Sequence, residues 1–71
     1  MKYYLYDHIP GAWTGWTLAV LATGKADADN YMRCQYLCGN YQYRGAVDNP
    51  GKGVNCGAVA YEAQRRLDAQ L

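Results

Sequence analysis

Lys2-Tyr3-Tyr4-Leu5-Tyr6-Asp7-His8-Ile9, the pair Pro10-Gly11, and Trp13-Thr14-Gly15-Trp16-Thr17-Leu18-Ala19-Val20-Leu21-Ala22 together decide the fold. Side chains alternate across an extended chain, so Tyr4, Tyr6 and His8 share one side of the first segment and Tyr3, Leu5, Asp7 and Ile9 the other. Tyrosine favours strands, and the segment reads as one. Proline presets its own φ and glycine accepts positive φ, which makes Pro10-Gly11 a turn. The second segment then returns as the partner strand of a hairpin. Trp16, Leu18 and Val20 share one of its sides, Thr17, Ala19 and Leu21 the other, and Gly15 reads as a bulge.

Beyond the hairpin, Thr23 is a candidate N-cap, and Asp27 and Asp29 suit the positive end of a helix dipole. A helix is expected from about Lys25 to Cys38, with Ala28, Tyr31, Cys34 and Cys38 as its apolar stripe and Gly39-Asn40 as its stop. Tyr41-Gln42-Tyr43-Arg44-Gly45-Ala46-Val47 alternates ring and polar residues and reads as a third strand. Asp48 to Gly53 is loop chemistry. Asn55 is expected to cap a terminal helix that buries Cys56, Val59, Ala60, Ala63 and Leu67, with Glu62 and Arg66 as an i,i+4 ion pair. The whole is an α+β domain spanning 1–71, with a three-stranded antiparallel sheet, the order β-β-α-β-α, and both helices on one face.

Seventy-one residues suffice for one domain, which at this size withdraws only about 60% of its unfolded surface from water. That excludes a large enzyme core. The net charge of +1 excludes both a strongly basic nucleic-acid binder and a wholesale acidic DNA mimic. Eight Tyr and two Trp with no Phe leave every large ring except the indoles carrying a hydroxyl, a composition suited to contact surfaces. No apolar run approaches the roughly 20 residues of a membrane span, and Met1 to Asp7 holds no apolar stretch of secretory length, so an intracellular chain is expected. Three cysteines leave one unpaired, which suits a reducing cytosol.

Cys34, Cys38 and Cys56 with His8 would make a Cys₃His zinc site, but zinc knuckles use tight C-x₂-C spacing, and the favoured reading is reduced, buried cysteines. One disulfide to Cys56 is a further alternative. A Cys-His dyad would need His8 beside a thiol together with an orienting acid and an oxyanion hole, which nothing in the spacing supports, so no catalytic residue, metal or cofactor is assigned. Pro50 to Gly57 is glycine-rich and would lead into a helix where Lys52 could assist an anion, yet it is no Walker motif and reads more simply as a loop with a cap. Tyr41, Tyr43 and Arg44 interleave rings with a cation, and Arg65 joins them if the last helix crosses that strand. Such a patch stacks bases or anchors a protein. The near-neutral charge favours protein and makes direct nucleic-acid binding the lesser reading. Asp27, Asp29 and Asp7 form an acidic cluster that either serves the helix dipole or imitates a short run of phosphates. The partner-binding candidates are therefore Tyr4, Tyr6, Tyr41, Tyr43, Arg44, Asp27, Asp29 and Arg65.

A small cofactor-free chain that opens with a strand at Met1-Lys2-Tyr3-Tyr4-Leu5-Tyr6, turns through Pro10-Gly11 and packs two short helices on a small sheet resembles the phage-encoded anti-CRISPR proteins, in particular the inhibitors of type I surveillance complexes. The resemblance covers size and element order, and that family has no common signature, so no residue role transfers by position. It implies a monomeric, stoichiometric inhibitor in the host cytoplasm that binds a subunit of a type I CRISPR-Cas complex and blocks target-DNA recognition or nuclease recruitment. Many members are acidic DNA mimics, from which a charge of +1 departs.

Overall fold

The computed structural model describes residues 1–8, 17–35, 41–51 and 54–70. Their elements are β1 (Lys2–His8), β2 (Thr17–Ala22), α1 (Lys25–Gln35), β3 (Tyr41–Val47), β4 (Asn55–Ala58) and α2 (Tyr61–Gln70). The chain is α+β, built on one mixed sheet in the order β3-β1-β2-β4. β1 pairs antiparallel with β2, Tyr4 opposite Val20 and Tyr6 opposite Leu18, and antiparallel with β3 on its other side. β2 and β4 run parallel, with Ala19 beside Cys56 and Val20 beside Gly57.

The hairpin pairing agrees with the alternation in sequence. Turn residues Pro10 and Gly11, together with Ile9 and residues 12–16, lie outside the described residues, as do 36–40, Lys52 and Gly53.

Two expectations about the sheet are corrected. It has four strands, one pair parallel, and its helices lie on opposite faces. Leu18 to Ala22 is buried on both sides, and a strand without a polar side needs cover above and below. Leu18, Val20 and Ala22 pack with Tyr6 and with Ala28 and Met32 of α1, whereas Ala19 and Leu21 pack with Tyr3 and with Ala63 of α2. Each fully buried large side chain contributes about 1.5–3 kcal/mol, and both layers are needed to supply enough of them in so short a chain.

The fourth strand replaces the start of the expected terminal helix. Asn55-Cys56-Gly57-Ala58 takes backbone partners from β2, the Val59 N–H extends the contact to the Leu21 carbonyl at 3.4 Å, and α2 begins only at Tyr61. Asn55 therefore starts a strand and caps no helix, so the described end of the glycine-rich segment leads into β4 and not into a helix N-terminus. The stripe of α1 is Ala28 and Met32 with Tyr31 half-buried beside them, while Cys34 is exposed. Thr23 gives its hydroxyl to the Asp27 carboxylate at 2.8 Å.

Candidate protein-interaction site

β1 sends Tyr6 to the α1 side of the sheet, and its neighbour β3 sends Tyr41 and Tyr43 to the same side. The Tyr6 ring meets Tyr41 edge-on at 5.8 Å and lies tilted to Tyr43 at 5.5 Å, both favourable aromatic geometries. Tyr6 itself is 1% exposed. Its hydroxyl donates to Asp29 Oδ1 at 2.5 Å, and Asp29 Oδ2 accepts from Lys25 Nζ at 2.7 Å. Lys25 also stands 4.6 Å above the Tyr43 ring. The i,i+4 spacing of Lys25 and Asp29 on α1 makes this possible, since both project from one helix face over the sheet. Three rings, a carboxylate and an ammonium form one connected shelf, closed underneath by Tyr6 and open at Tyr43.

The charges respond to that arrangement. Burial, then the bond to Asp29, pushes the Tyr6 hydroxyl pKa well above its ordinary value. Hydrogen bonds from Lys25 and from Tyr6 hold the Asp29 carboxyl below its ordinary value, and the Asp29 bond raises that of the Lys25 ammonium. All three groups therefore keep one protonation state across the neutral range, and the shelf is electrically self-contained.

On the opposite side of the same strands Arg44 grips Asp7 with two nitrogens, Nε to Oδ2 at 2.9 Å and Nη2 to Oδ1 at 2.8 Å. Thr17 of β2 donates to Asp7 as well, at 2.7 Å. The grip depends on a β-bulge: Leu5 pairs with Gly45 and Tyr6 with Tyr43, so Arg44 is the extra residue of β3. Gly45 beside it takes φ +154°, a value that residues with a Cβ rarely adopt.

Of the residues expected to bind a partner, the structure gathers Tyr6, Tyr41, Tyr43 and Asp29 into the shelf, and Tyr4, half-buried, packs against the same core. Tyr6 is a support and not a contact, because no face of it is open. Arg44 lies at the same edge but on the far side of the sheet. Arg65 does not join it: α2 packs over β2 and β4, away from β3, and the Arg65 guanidinium lies 5.8 Å from the Tyr61 ring. Arg66 reaches the Met1 carbonyl at 3.3 Å and is not paired with Glu62. The acidic cluster is dispersed as well, since Asp7 is held by Arg44, Asp29 by Lys25 and Tyr6, and Asp27 alone stands exposed with Thr23. Tyr3 is buried on the α2 side, so the tyrosines do not form one continuous face.

Sequence reasoning missed Lys25 as a member of the shelf, although its place four residues before Asp29 was a usable signal. It also missed Tyr61, which is 77% exposed. Cys34 and Cys56 are both exposed, on α1 and β4, which corrects the buried reading, and Cys38 lies outside the described residues. Among the described residues no three His, Cys, Asp or Glu side chains gather to hold a metal ion. No helix among them is long and apolar enough to cross a membrane. An open hollow of ≈ 470 Å³ lies between α1 and residues 58–60, with Asp27, Asn30, Tyr31 and Cys34 along one wall.

No family model matches this chain, and neither a curated protein nor a solved structure matches it.

Proposed function

We propose that the chain is a binding module that acts by occupying another protein, and that it docks through the Tyr41–Tyr43 shelf at the β3 edge. One observation carries this reading: an exposed ring on an open strand, Tyr43, whose neighbouring cation Lys25 is already neutralised by Asp29. Phosphate binding draws on uncompensated cations, whereas a protein interface favours aromatic anchors amid balanced charge. Arg44, the other cation of the edge, is likewise held by Asp7.

The finer reading, supported by the resemblance in size and by the tyrosine-rich composition, is a stoichiometric inhibitor of a type I CRISPR-Cas surveillance complex in the host cytoplasm. It blocks target-DNA recognition or nuclease recruitment by binding a subunit. Co-purification with a purified surveillance complex, followed by a target-DNA gel shift, tests this. A stable complex with suppressed DNA binding or cleavage is expected, weakened by Tyr43→Ala; unaltered DNA binding and cleavage in excess chain would rule it out. The same titration with a labelled single-stranded oligonucleotide at low salt should give no complex, and a salt-dependent one would move the reading to nucleic acid.

A further inference from the structure

The sheet has two edges, and among the described residues they are protected unequally. β4 is four residues long, and both layers close over its second half: Tyr31 of α1 stands on Gly57, where an added Cβ would lie 2.6 Å from the hydroxyl oxygen, and Ala58 packs in the core on the α2 side, while Asn55 and Cys56 are exposed. Short length and helical cover are the common ways to keep an edge from pairing with another chain. β3 has neither. It runs seven residues, pairs among the described strands only with β1, lies outside the main packing of both helices, and exposes Gln42, Tyr43, Arg44 and Ala46. It contains no Lys and no Pro, and its one charge, Arg44, spends two of its nitrogens on Asp7.

We propose that β3 accepts an extended segment of the partner protein as an additional strand; this rests on the reading of the chain as a protein-binding module and specifies how it binds. In strand addition the backbone supplies affinity and alternate side chains supply selectivity. The two sides of β3 differ in chemistry. Tyr41 and Tyr43 lie on the α1 side, so the incoming strand carries an apolar or aromatic residue there. Arg44 lies on the other side, 57% exposed, with Asp7 engaging only Nε and Nη2. Its Nη1 donors suit a carboxylate, placing an acidic residue at a position of opposite parity in the incoming strand. A second copy of this chain fits less well. Pairing β3 with β3 would bring no carboxylate to Arg44, because Tyr41–Val47 contains no Asp or Glu.

The test has two arms. In the first, amide hydrogen exchange is followed for the chain free and bound to the purified type I surveillance complex. The β3 amides facing away from β1 should gain about tenfold or greater protection, and Ala46→Lys, which adds a charge to an exposed edge position, should weaken the complex about tenfold at unchanged melting temperature. A complex in which β3 exchanges as freely as before overturns strand addition and leaves the module reading standing. Failure to form any complex overturns the type I reading, and the second arm then decides strand addition by itself. There the isotope-labelled chain is titrated with the synthetic peptide Thr-Val-Glu-Tyr-Thr-Val-Thr. Protection confined to β3, weakened when Lys replaces Glu and lost when Pro replaces Tyr, is the expected result; equal affinity for all three peptides, or no effect at β3, overturns the proposal. Sedimentation of the free chain as a dimer that Ala46→Lys dissolves would assign the edge to self-pairing and overturn it too.

Discussion

β3 and β4 are both edge strands, yet they are attached by different physics. β4 is held by closeness: it has small residues, a parallel register with β2, and the Tyr31 hydroxyl resting where Gly57 has no side chain. β3 is held by reach, with the Tyr6 ring under Tyr41 and Tyr43 on one side and Arg44 clasping Asp7 on the other. Close packing leaves little over for a partner at Gly57 and Ala58, which lie against α1 and α2, while Asn55 and Cys56 stay exposed. Long side chains reaching inward leave the strand's own backbone edge without a partner among the described strands. The difference teaches where binding capacity lies in so small a domain: at the edge anchored from beneath.

The largest test of that contrast is Tyr6→Ala. It removes a fully buried ring that supports both β3 tyrosines and ties them to α1, and large-to-small changes of this kind cost about 3–5 kcal/mol. Partial unfolding at ambient temperature is expected, and amide exchange should quicken at β3 before it does at β4. Equal loss at the two edges would mean that they are not independently attached.

Gly57→Ala probes the other edge. The new methyl would meet the Tyr31 ring and hydroxyl at 2.6–3.2 Å, so Tyr31 has to swing off the strand. Overpacking of this kind costs about 1–3 kcal/mol, which urea denaturation would read as a lower midpoint with unchanged slope. In a double-mutant cycle Tyr31→Ala should absorb most of that cost. Additive effects would show that Gly57 is needed for some reason other than the ring above it.

The same contrast explains what was legible in sequence. β1, β2 and β3 carry rings or apolar residues at period two, a signal that survives without any knowledge of partners. The unbroken run Leu18 to Ala22 also held the sign of a strand covered on both sides, which conflicts with helices on a single face. β4 has no such pattern. Asn55-Cys56-Gly57-Ala58 lacks β-branched and aromatic residues, Asn55 imitates a cap, and Cys56, Val59, Ala60, Ala63 and Leu67 fall at helical spacing. Its strand character comes from the β2 backbone beside it, a non-local cause. The members of the shelf were legible singly, since Tyr41, Tyr43 and Asp29 each stand out in sequence as candidates. Its geometry was not, because the bulge that sends Arg44 to Asp7 depends on the pairing of β1 with β3.

The charge network of the shelf predicts a pH response. Asp29 titrates lower in the folded chain than in the unfolded one, so its contribution is complete above about pH 4 and is lost as pH falls through its folded value. Tyr6 and Lys25 titrate higher when folded, so theirs are complete below about pH 10 and are lost as pH rises further. Tyr6→Phe removes one hydrogen bond to a charged group, at a cost of about 1–2 kcal/mol near neutrality. It should also flatten the alkaline limb of the stability curve. Asp29→Asn should flatten the acid limb. An unaltered acid limb in Asp29→Asn would show that other carboxylates dominate acid unfolding and that the shelf is no electrostatic anchor for β3.

The smallest effect on folding is expected from Arg44→Ala. The pair with Asp7 is two-pronged but exposed, and such pairs are worth less than about 1 kcal/mol. Asp7 also keeps its bond from Thr17, so no buried charge is stranded. The melting temperature should move by only a few degrees, with β3 exchange close to that of the unaltered chain, since Tyr6 still holds the strand from the other side. If Arg44 serves the incoming strand, affinity for the partner should fall much further than this small change in stability can explain. A loss of stability as large as that of Tyr6→Phe would instead place Arg44 among the anchors of β3, and the two sides of that strand would then share one structural task.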